Sequence, residues 1–295
     1  MSTAIRVPAP QRPAAAWMYR HPKARVALLL VLPLSWLMIA YLGSLGALFI
    51  TAFWSVDSFS GVLTRTFTLD NFVELATDPA YYGVALRTIG IAAAVTVLTA
   101  LIGLPMAFFM ARVAKPSSRA ILVALVLTPL WASYLVKVYS WRTMFQPESG
   151  VIAWMFQPFG LDSPGYGAVA TIVTLTYLWL PYMVLPLYAG FERIPDSFLD
   201  ASADLGAKSW RTFRSIVLPV VFPSLVAGSI FTFSLSLGDY ITVQIVGGKL
   251  QMLGNVVYQN FTLNLPFAAA VATIPVFVMF AYLFAVRRTG ALDNL

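Results

Sequence analysis

From Val26 to Val56 the chain contains no charged residue, and this run alone is longer than the roughly 20 apolar residues that cross a lipid bilayer. Such a stretch leaves few folds open, because backbone groups in lipid must be hydrogen-bonded within a helix or a closed barrel. Only 11% of the 295 residues are charged and 59% are hydrophobic, which is too little charge for the surface of a soluble domain. The sequence therefore predicts an all-α, polytopic membrane protein with six transmembrane helices, over Val26–Trp54, Val84–Met110, Ala120–Val136, Ala168–Gly190, Val220–Leu237 and Phe267–Val286.

The positions of lysine and arginine predict the orientation of these helices. Basic residues concentrate in the N-terminal tail, after the second span, after the fourth span and at the C-terminus, so both termini are expected to be cytoplasmic. The net charge of +7 follows this topology and does not indicate a nucleic-acid partner. The predicted division is a tail over 1–25, a leading helix over 26–56, an external loop over 57–83, a core over 84–287 with a cytoplasmic loop over 191–219, and a C-terminal tail over 288–295.

Several kinds of chemistry lack the residues they require. Cysteine is absent, which excludes disulfides and cysteine-ligated metals, and the single histidine, His21, lies in the basic N-terminal tail. The chain has no G-x-x-x-x-G-K-[ST] phosphate loop and no cluster of catalytic residues. We therefore expect no metal site, no cofactor on this chain and no enzymatic activity, and any energy from ATP would have to come from another polypeptide.

The loop over 191–219 contains a polar, helix-forming segment between two apolar spans. Ser197-x-x-Asp200 has the form of a capping box, which predicts a helix that starts there and ends at Gly206. Helical periodicity places Phe198, Ala201, Ser202 and Leu205 on one face, and a second short helix would hold Trp210 and Phe213 against the membrane domain. This pattern favours a docking element for a partner protein, and the alternative is an interfacial helix without a partner.

The same residues resemble the cytoplasmic signature of binding-protein-dependent ABC importer permeases, which reads Glu-Ala-Ala, three residues, Gly, nine residues, Ile-x-Leu-Pro. Asp200 stands for the glutamate and Ser202 for the second alanine, which leaves the strength of the ATPase contact open. The resemblance implies a type I (MetI-like) permease fold in the bacterial inner membrane. It also implies a second permease subunit, two copies of a cytoplasmic ATPase that bind ATP and magnesium, and an external substrate-binding protein. The residues assigned to ATPase coupling are Ser197, Asp200, Ala201, Ser202, Leu205, Gly206, Ile216, Leu218 and Pro219.

Further stretches look like the spermidine/putrescine branch of these permeases, namely 132–137, 180–183, 228–234 and 236–240. They imply a small cationic amine as the solute. An opine, an amino-acid-derived compound, iron or a phosphonate are alternatives within the same class. A stand-alone secondary carrier or a membrane-embedded enzyme are rivals from other classes, but acids in mid-span or clustered catalytic residues would be expected for them.

Asp239 follows Ser234, Ser236 and Gly238 at the outer end of the fifth span. A carboxylate in lipid is costly, so it should face water, a partner or a cation, unless it is simply an exposed loop residue. Aromatic rings could hold an ammonium group by cation–π contact, although each such ring more often belongs to simple packing or to an interfacial belt. The candidates for the substrate path are Trp131, Tyr134, Trp179, Tyr182, Asp239 and Tyr240.

Overall fold

The computed structural model describes residues 22–57, 61–288 and 290, and long apolar helices dominate it. His21 and most of both predicted tails lie outside these residues. Within the described residues, helix already includes Pro22, a few residues before the predicted boundary at Val26. The α-helices are α1 (Pro22–Leu37), α2 (Gly43–Thr51), α3 (Asp70–Thr77), α4 (Pro79–Phe108), α5 (Pro116–Trp131), α6 (Tyr134–Met144), α7 (Val151–Phe156), α8 (Ala168–Glu192), α9 (Asp196–Asp204), α10 (Ser209–Thr212), α11 (Leu218–Leu237), α12 (Ile241–Val246), α13 (Leu253–Asn260) and α14 (Leu265–Arg287).

The remaining regular elements are short. Two strands, β1 (Ser55–Val56) and β2 (Leu63–Thr64), pair antiparallel in the loop after α2. A 3₁₀ turn follows α7. Among the described residues, single π-helical turns join helices at Met38–Leu42 and Phe213–Val217, and another ends α4 at Phe109–Val113. Each of the six predicted spans has a proline inside a helix, namely Pro33, Pro105, Pro129, Pro181, Pro223 and Pro275. Two of the π turns follow such a proline, Pro33 or Pro105, within five residues.

In the part of the chain that the structure describes, five helical segments are long and apolar enough to cross a membrane, or six if the bent pair α5 and α6 is one span. The five are Leu29–Thr51, Pro79–Val113, Ala168–Glu192, Ser209–Leu237 and Leu265–Arg287. They agree with five of the predicted spans. The predicted third span, Ala120–Val136, is wrong at its end, because α5 stops at Trp131 and α6 leaves it at 90°. Ala132 and Ser133 between them have extended backbone angles. An average of hydropathy over a window does not detect such a break.

The centre of the molecule is the packing of α4, α8 and α11. Buried side chains at one end of these helices form one cluster with Met183, Leu187 and Phe191. Close approach here depends on glycine, since a Cβ at Gly228 would lie 3.1 Å from the Cα atom of Met183. By contrast, no residue of the leading span, Leu29–Thr51, is buried against the described part of the chain.

The segment between α11 and α14 folds back into the molecule. Val243 and Val246 of α12 and Leu253 of α13 are fully or almost fully buried. The backbone N–H of Leu253 donates to the Thr88 hydroxyl of α4 at 3.0 Å. Buried residues of α12 and α13 therefore belong to the core, although these helices lie between the fifth and sixth predicted spans.

Candidate functional site

The helix predicted in the loop over 191–219 is present as α9. Its end agrees with the prediction, because Gly206 adopts a left-handed φ of +71° directly after the helix. The N–H of Gly206 donates to the carbonyl of Ala203 at 2.8 Å, and the N–H of Ala207 donates to the carbonyl of Ser202 at 3.1 Å. These two bonds form a Schellman motif, which satisfies carbonyls that a helix end otherwise leaves unpaired.

The start of α9 differs from the prediction. Pro195 is the N-cap residue, no side chain caps the helix, and Ser197 lies inside the first turn. The predicted capping box is therefore wrong, because the helix begins two residues earlier than the box requires. Ser197 and Asp200 are exposed on the surface of α9.

The predicted apolar face of α9 is partly buried within the chain and partly exposed. Ser202 is buried and its hydroxyl lies 2.6 Å from the Thr212 hydroxyl of α10, whereas the side chain of Leu205 is 87% exposed. Trp210 is exposed and its ring stacks on Phe213 at 5.8 Å, so the prediction that it rests on the membrane domain is wrong. Phe213, unlike Trp210, packs against the buried cluster that contains Met183, Leu187 and Phe191.

An open groove of about 640 Å³ lies between α9 and the start of α11. Three of the residues assigned to coupling do not line this groove, and they are Ser197, Asp200 and Leu218. The charged residue in the lining is Arg211. Six of the residues assigned to coupling line it together, and they are Ala201, Ser202, Leu205, Gly206, Ile216 and Pro219. The arrangement presents a mainly apolar recess, edged by an exposed leucine, that can accept an apolar ridge of another protein.

Arg112 holds the beginning of this loop in place. It lies in the π turn Phe109–Val113 after α4, and its Nε donates to the carbonyl of Phe191 at 3.0 Å. A terminal nitrogen donates to the carbonyl of Ile194, and the other donates to the Asp196 carboxylate at 2.6 Å. From the sequence, Arg112 is one of the basic residues after the second span, and nothing local to its position indicates acceptors that lie more than 75 residues further along the chain.

A second group of candidate residues surrounds Asp239, which follows the end of α11. Asp239 is 8% exposed, so the interpretation as an exposed loop residue is wrong. One carboxylate oxygen accepts a hydrogen bond from the N–H of Thr242 at 2.8 Å, and the other accepts from the hydroxyls of Tyr134 and Thr242. Burial raises the pKa of the Asp239 carboxyl, and these hydrogen bonds act against that rise.

Aromatic rings extend from this carboxylate across three helices. Tyr134 of α6 stacks on Trp179 of α8 with ring centroids 6.1 Å apart, and Trp179 meets Tyr182 at 6.0 Å. Tyr182 in turn lies 6.4 Å from Phe231 of α11. The indole Nε1 of Trp179 is buried and has no hydrogen-bond partner among the described residues. We call Tyr134, Trp179, Tyr182, Asp239 and Thr242 the Asp239 cluster.

Two of the predicted path residues lie elsewhere. Trp131 is 81% exposed at the end of α5. Tyr240 stacks on Tyr258 at 4.9 Å and lines a separate, mainly apolar groove of about 310 Å³. Tyr258 and Phe231 are neighbours that the sequence analysis does not select, because only the folded chain brings them beside the selected residues. Among the described residues, no group of three or more His, Cys, Asp or Glu is placed to hold a metal ion.

The comparisons with known proteins agree with this architecture. The family model described as "Binding-protein-dependent transport system inner membrane component" matches residues 100–289. Inner membrane ABC transporter permease protein YdcU of Escherichia coli (strain K12) is 40% identical over 97% of this chain and 97% of its own length. Spermidine/putrescine transport system permease protein PotB of the same organism is 31% identical over 83% of this chain and 90% of its own length.

Two solved structures share the fold. A chain of a bacterial ABC transporter involved in the import of the acidic polysaccharide alginate has a TM-score of 0.66 at 16% identity, covering 95% of this chain and 99% of that one. A chain of the MetNI methionine ABC transporter, in an inward-facing conformation, has a TM-score of 0.56 at 20% identity, covering 74% and 99%.

Proposed function

The chain belongs to the family of binding-protein-dependent transport system inner membrane components, and on that premise we propose that it imports a small cationic amine of the spermidine/putrescine type. Membership makes it the permease subunit of an ABC importer, a multi-pass inner-membrane protein and a transport component rather than an enzyme. ATP is hydrolysed by a separate chain.

The partners follow from the importer class. The alginate importer, a structural neighbour, is described in complex with a substrate-bound periplasmic protein. We infer that this chain pairs with a second, different permease subunit, and that two ATPase copies carrying ATP and magnesium dock on the side of α9. An external binding protein would deliver the solute. In this arrangement both termini and the α9 loop face the cytoplasm.

The groove beside α9 supports the docking part of this proposal. It gathers six of the nine residues assigned to coupling, and its exposed apolar lining would be costly without a protein partner. ATP-driven closure of the two ATPases would move α9, and the spans would change from inward-open to outward-open. The binding protein would then release solute into the opened path.

The single observation that carries the substrate proposal is the Asp239 cluster. The hydrogen-bond partners of the buried Asp239 carboxylate are the neutral groups of Tyr134 and Thr242. A carboxylate has about four lone-pair positions, so it can also accept from an ammonium group. The adjoining rings of Trp179 and Tyr182 could contribute cation–π attraction of roughly 0.5–2 kcal/mol each. Relatives named as spermidine/putrescine permeases, at about 30% identity, support the same solute class.

The test is uptake by the reconstituted complex of this chain with its partner permease, ATPase and binding protein. Proteoliposomes should accumulate labelled putrescine only with ATP on the ATPase side, and unlabelled spermidine should compete with it. An opine should not compete. Import of the opine in place of putrescine would refute the amine assignment, and accumulation without ATP would contradict the proposed energy coupling.

A further inference from the structure

The guanidinium of Arg112 joins three parts of the chain that are separate in sequence. Its acceptors are the carbonyl of Phe191 in the last turn of α8, the carbonyl of Ile194 in the connection, and the carboxylate of Asp196 at the first position of α9. Arg112 itself belongs to the π turn that ends the second span. One side chain therefore links the ends of spans two and four to the beginning of α9.

The partial charges at the end of α8 and at the start of α9 favour the position of the Arg112 guanidinium between them. The last carbonyls of a helix have no partner within it and carry partial negative charge, so the end of α8 suits a cation. Asp196, in the first turn of α9, complements the positive end of that helix. Guanidinium has five N–H donors in a fixed, planar fork, which lets it bond all three acceptors at once. Lysine has the charge but cannot reproduce that geometry.

Burial separates this contact from an ordinary surface ion pair. The side chain of Arg112 is 16% exposed, whereas that of Asp196 is 84% exposed. An exposed pair alone contributes little. Here, however, the carbonyls of Phe191 and Ile194 fix the guanidinium, and the ring of Phe191 packs edge-on against Phe108 of α4 at 5.6 Å. The ends of α4 and α8 therefore form one packed unit, and Arg112 extends it to α9.

The other end of α9 is attached to a different span. The Ser202 hydroxyl bonds that of Thr212, in the helix that leads into span five. Movement of α9 would consequently reach spans two and four through Arg112 and span five through Ser202. We propose that Arg112 is a positioning residue that transmits the movement of α9 to spans two and four, an inference that rests on the proposed docking of the ATPase at α9.

Transport and ATP hydrolysis, measured together in the reconstituted complex with labelled putrescine, test this role. Arg112→Lys and Asp196→Ala, which removes the acceptor as well as the charge, should keep ATP hydrolysis but lower the uptake per ATP by at least about fivefold, the lower end of typical coupling between distant sites. Arg119→Lys is the matched control, because Arg119 lies seven residues after Arg112, in the first turn of α5, and its Nε donates to the nearby carbonyl of Ala114 and not to α9. If the Arg112→Lys chain does not assemble with its partner subunits, the test is made with the Asp196 variant, since the side chain of Asp196 is exposed and its replacement should not disturb folding. Uptake per ATP equal to that of the control for both variants would overturn the proposal.

A distance measurement tests the same role without any solute. Since the chain has no cysteine, cysteines introduced at Val113 and Asp204, both exposed, can be spin-labelled specifically in a complex whose other subunits lack cysteine. In the otherwise wild-type chain the distance between the labels should stay constant when ATP binds. In the Arg112→Lys chain the distribution of distances should broaden, or its mean should shift, when ATP binds. A distance that changes equally in both chains would overturn the inference. Failure of the ATPase to bind would instead contradict the proposed docking, so the two failures are distinguishable.

Discussion

Gly206 ends α9 in a conformation that other residues rarely adopt, and its replacement by valine tests the docking role directly. Its φ of +71° lies in the left-handed region, yet an added Cβ would meet no atom within 4 Å. The cost of Gly206→Val is therefore backbone strain and not a steric clash. Placing an L-residue in this region costs roughly 1–2 kcal/mol, and a β-branched side chain is the least suited to it.

The strain can be relieved only by unwinding the end of α9. That change would break the bonds from Gly206 to Ala203 and from Ala207 to Ser202, and it would displace Leu205 at the edge of the groove. If docking requires the native conformation, a loss of 1–2 kcal/mol corresponds to roughly a 5–30-fold weaker association with the ATPase. We expect the chain to remain in the membrane while transport fails.

The assay is binding of the purified ATPase to the two permease subunits in nanodiscs, for a series of residues at position 206. Affinity should fall in the order glycine, asparagine, alanine, valine, since asparagine tolerates the left-handed region better than the others. Gly160→Val is the matched control, because Gly160 has a φ of +64°, equally open surroundings and a position remote in sequence from α9. Normal affinity and uptake for Gly206→Val would refute the docking role, and an equal loss for asparagine and valine would refute the argument from backbone strain.

Other variants address the solute path and the packing. Asp239→Asn should weaken uptake of divalent putrescine more than that of a monovalent amine, and an unchanged ratio of initial rates would remove Asp239 from the path. Tyr134→Phe retains the ring that stacks on Trp179 but loses the hydroxyl that donates to Asp239. We therefore expect a smaller fall in putrescine uptake than for Asp239→Asn, and unchanged uptake would show that this hydrogen bond is not needed for transport. Gly228→Val should lower stability by about 1–3 kcal/mol, measured as thermal unfolding in detergent, because α8 lies against it. Gly90→Val, at an open helical position, is its control, and an equal loss would contradict the packing argument.

Properties that depend on short windows of sequence could be predicted. A run of about 20 apolar residues specifies a membrane helix wherever it occurs, and five of the six spans agree with that expectation. The end of α9 at Gly206 was also predictable, because glycine reaches a left-handed φ without steric cost. The resemblance to importer permeases rests on the same local pattern, from Asp200 to Pro219.

Other features depend on contacts between residues far apart in the chain, and only the tertiary structure decides them. The third span breaks at Ala132 and Ser133, where the following Tyr134 reaches Asp239 and Thr242. Val243, Val246 and Leu253, between α11 and α14, are buried because parts of the chain that are distant in sequence pack against them. Arg112 meets its acceptors only when α4 and α8 pack together. The length of its apolar runs was sufficient to determine that this chain spans a membrane. The long-range hydrogen-bond partners of its few buried polar groups are decided only when the helices pack, because those partners lie far away in the sequence.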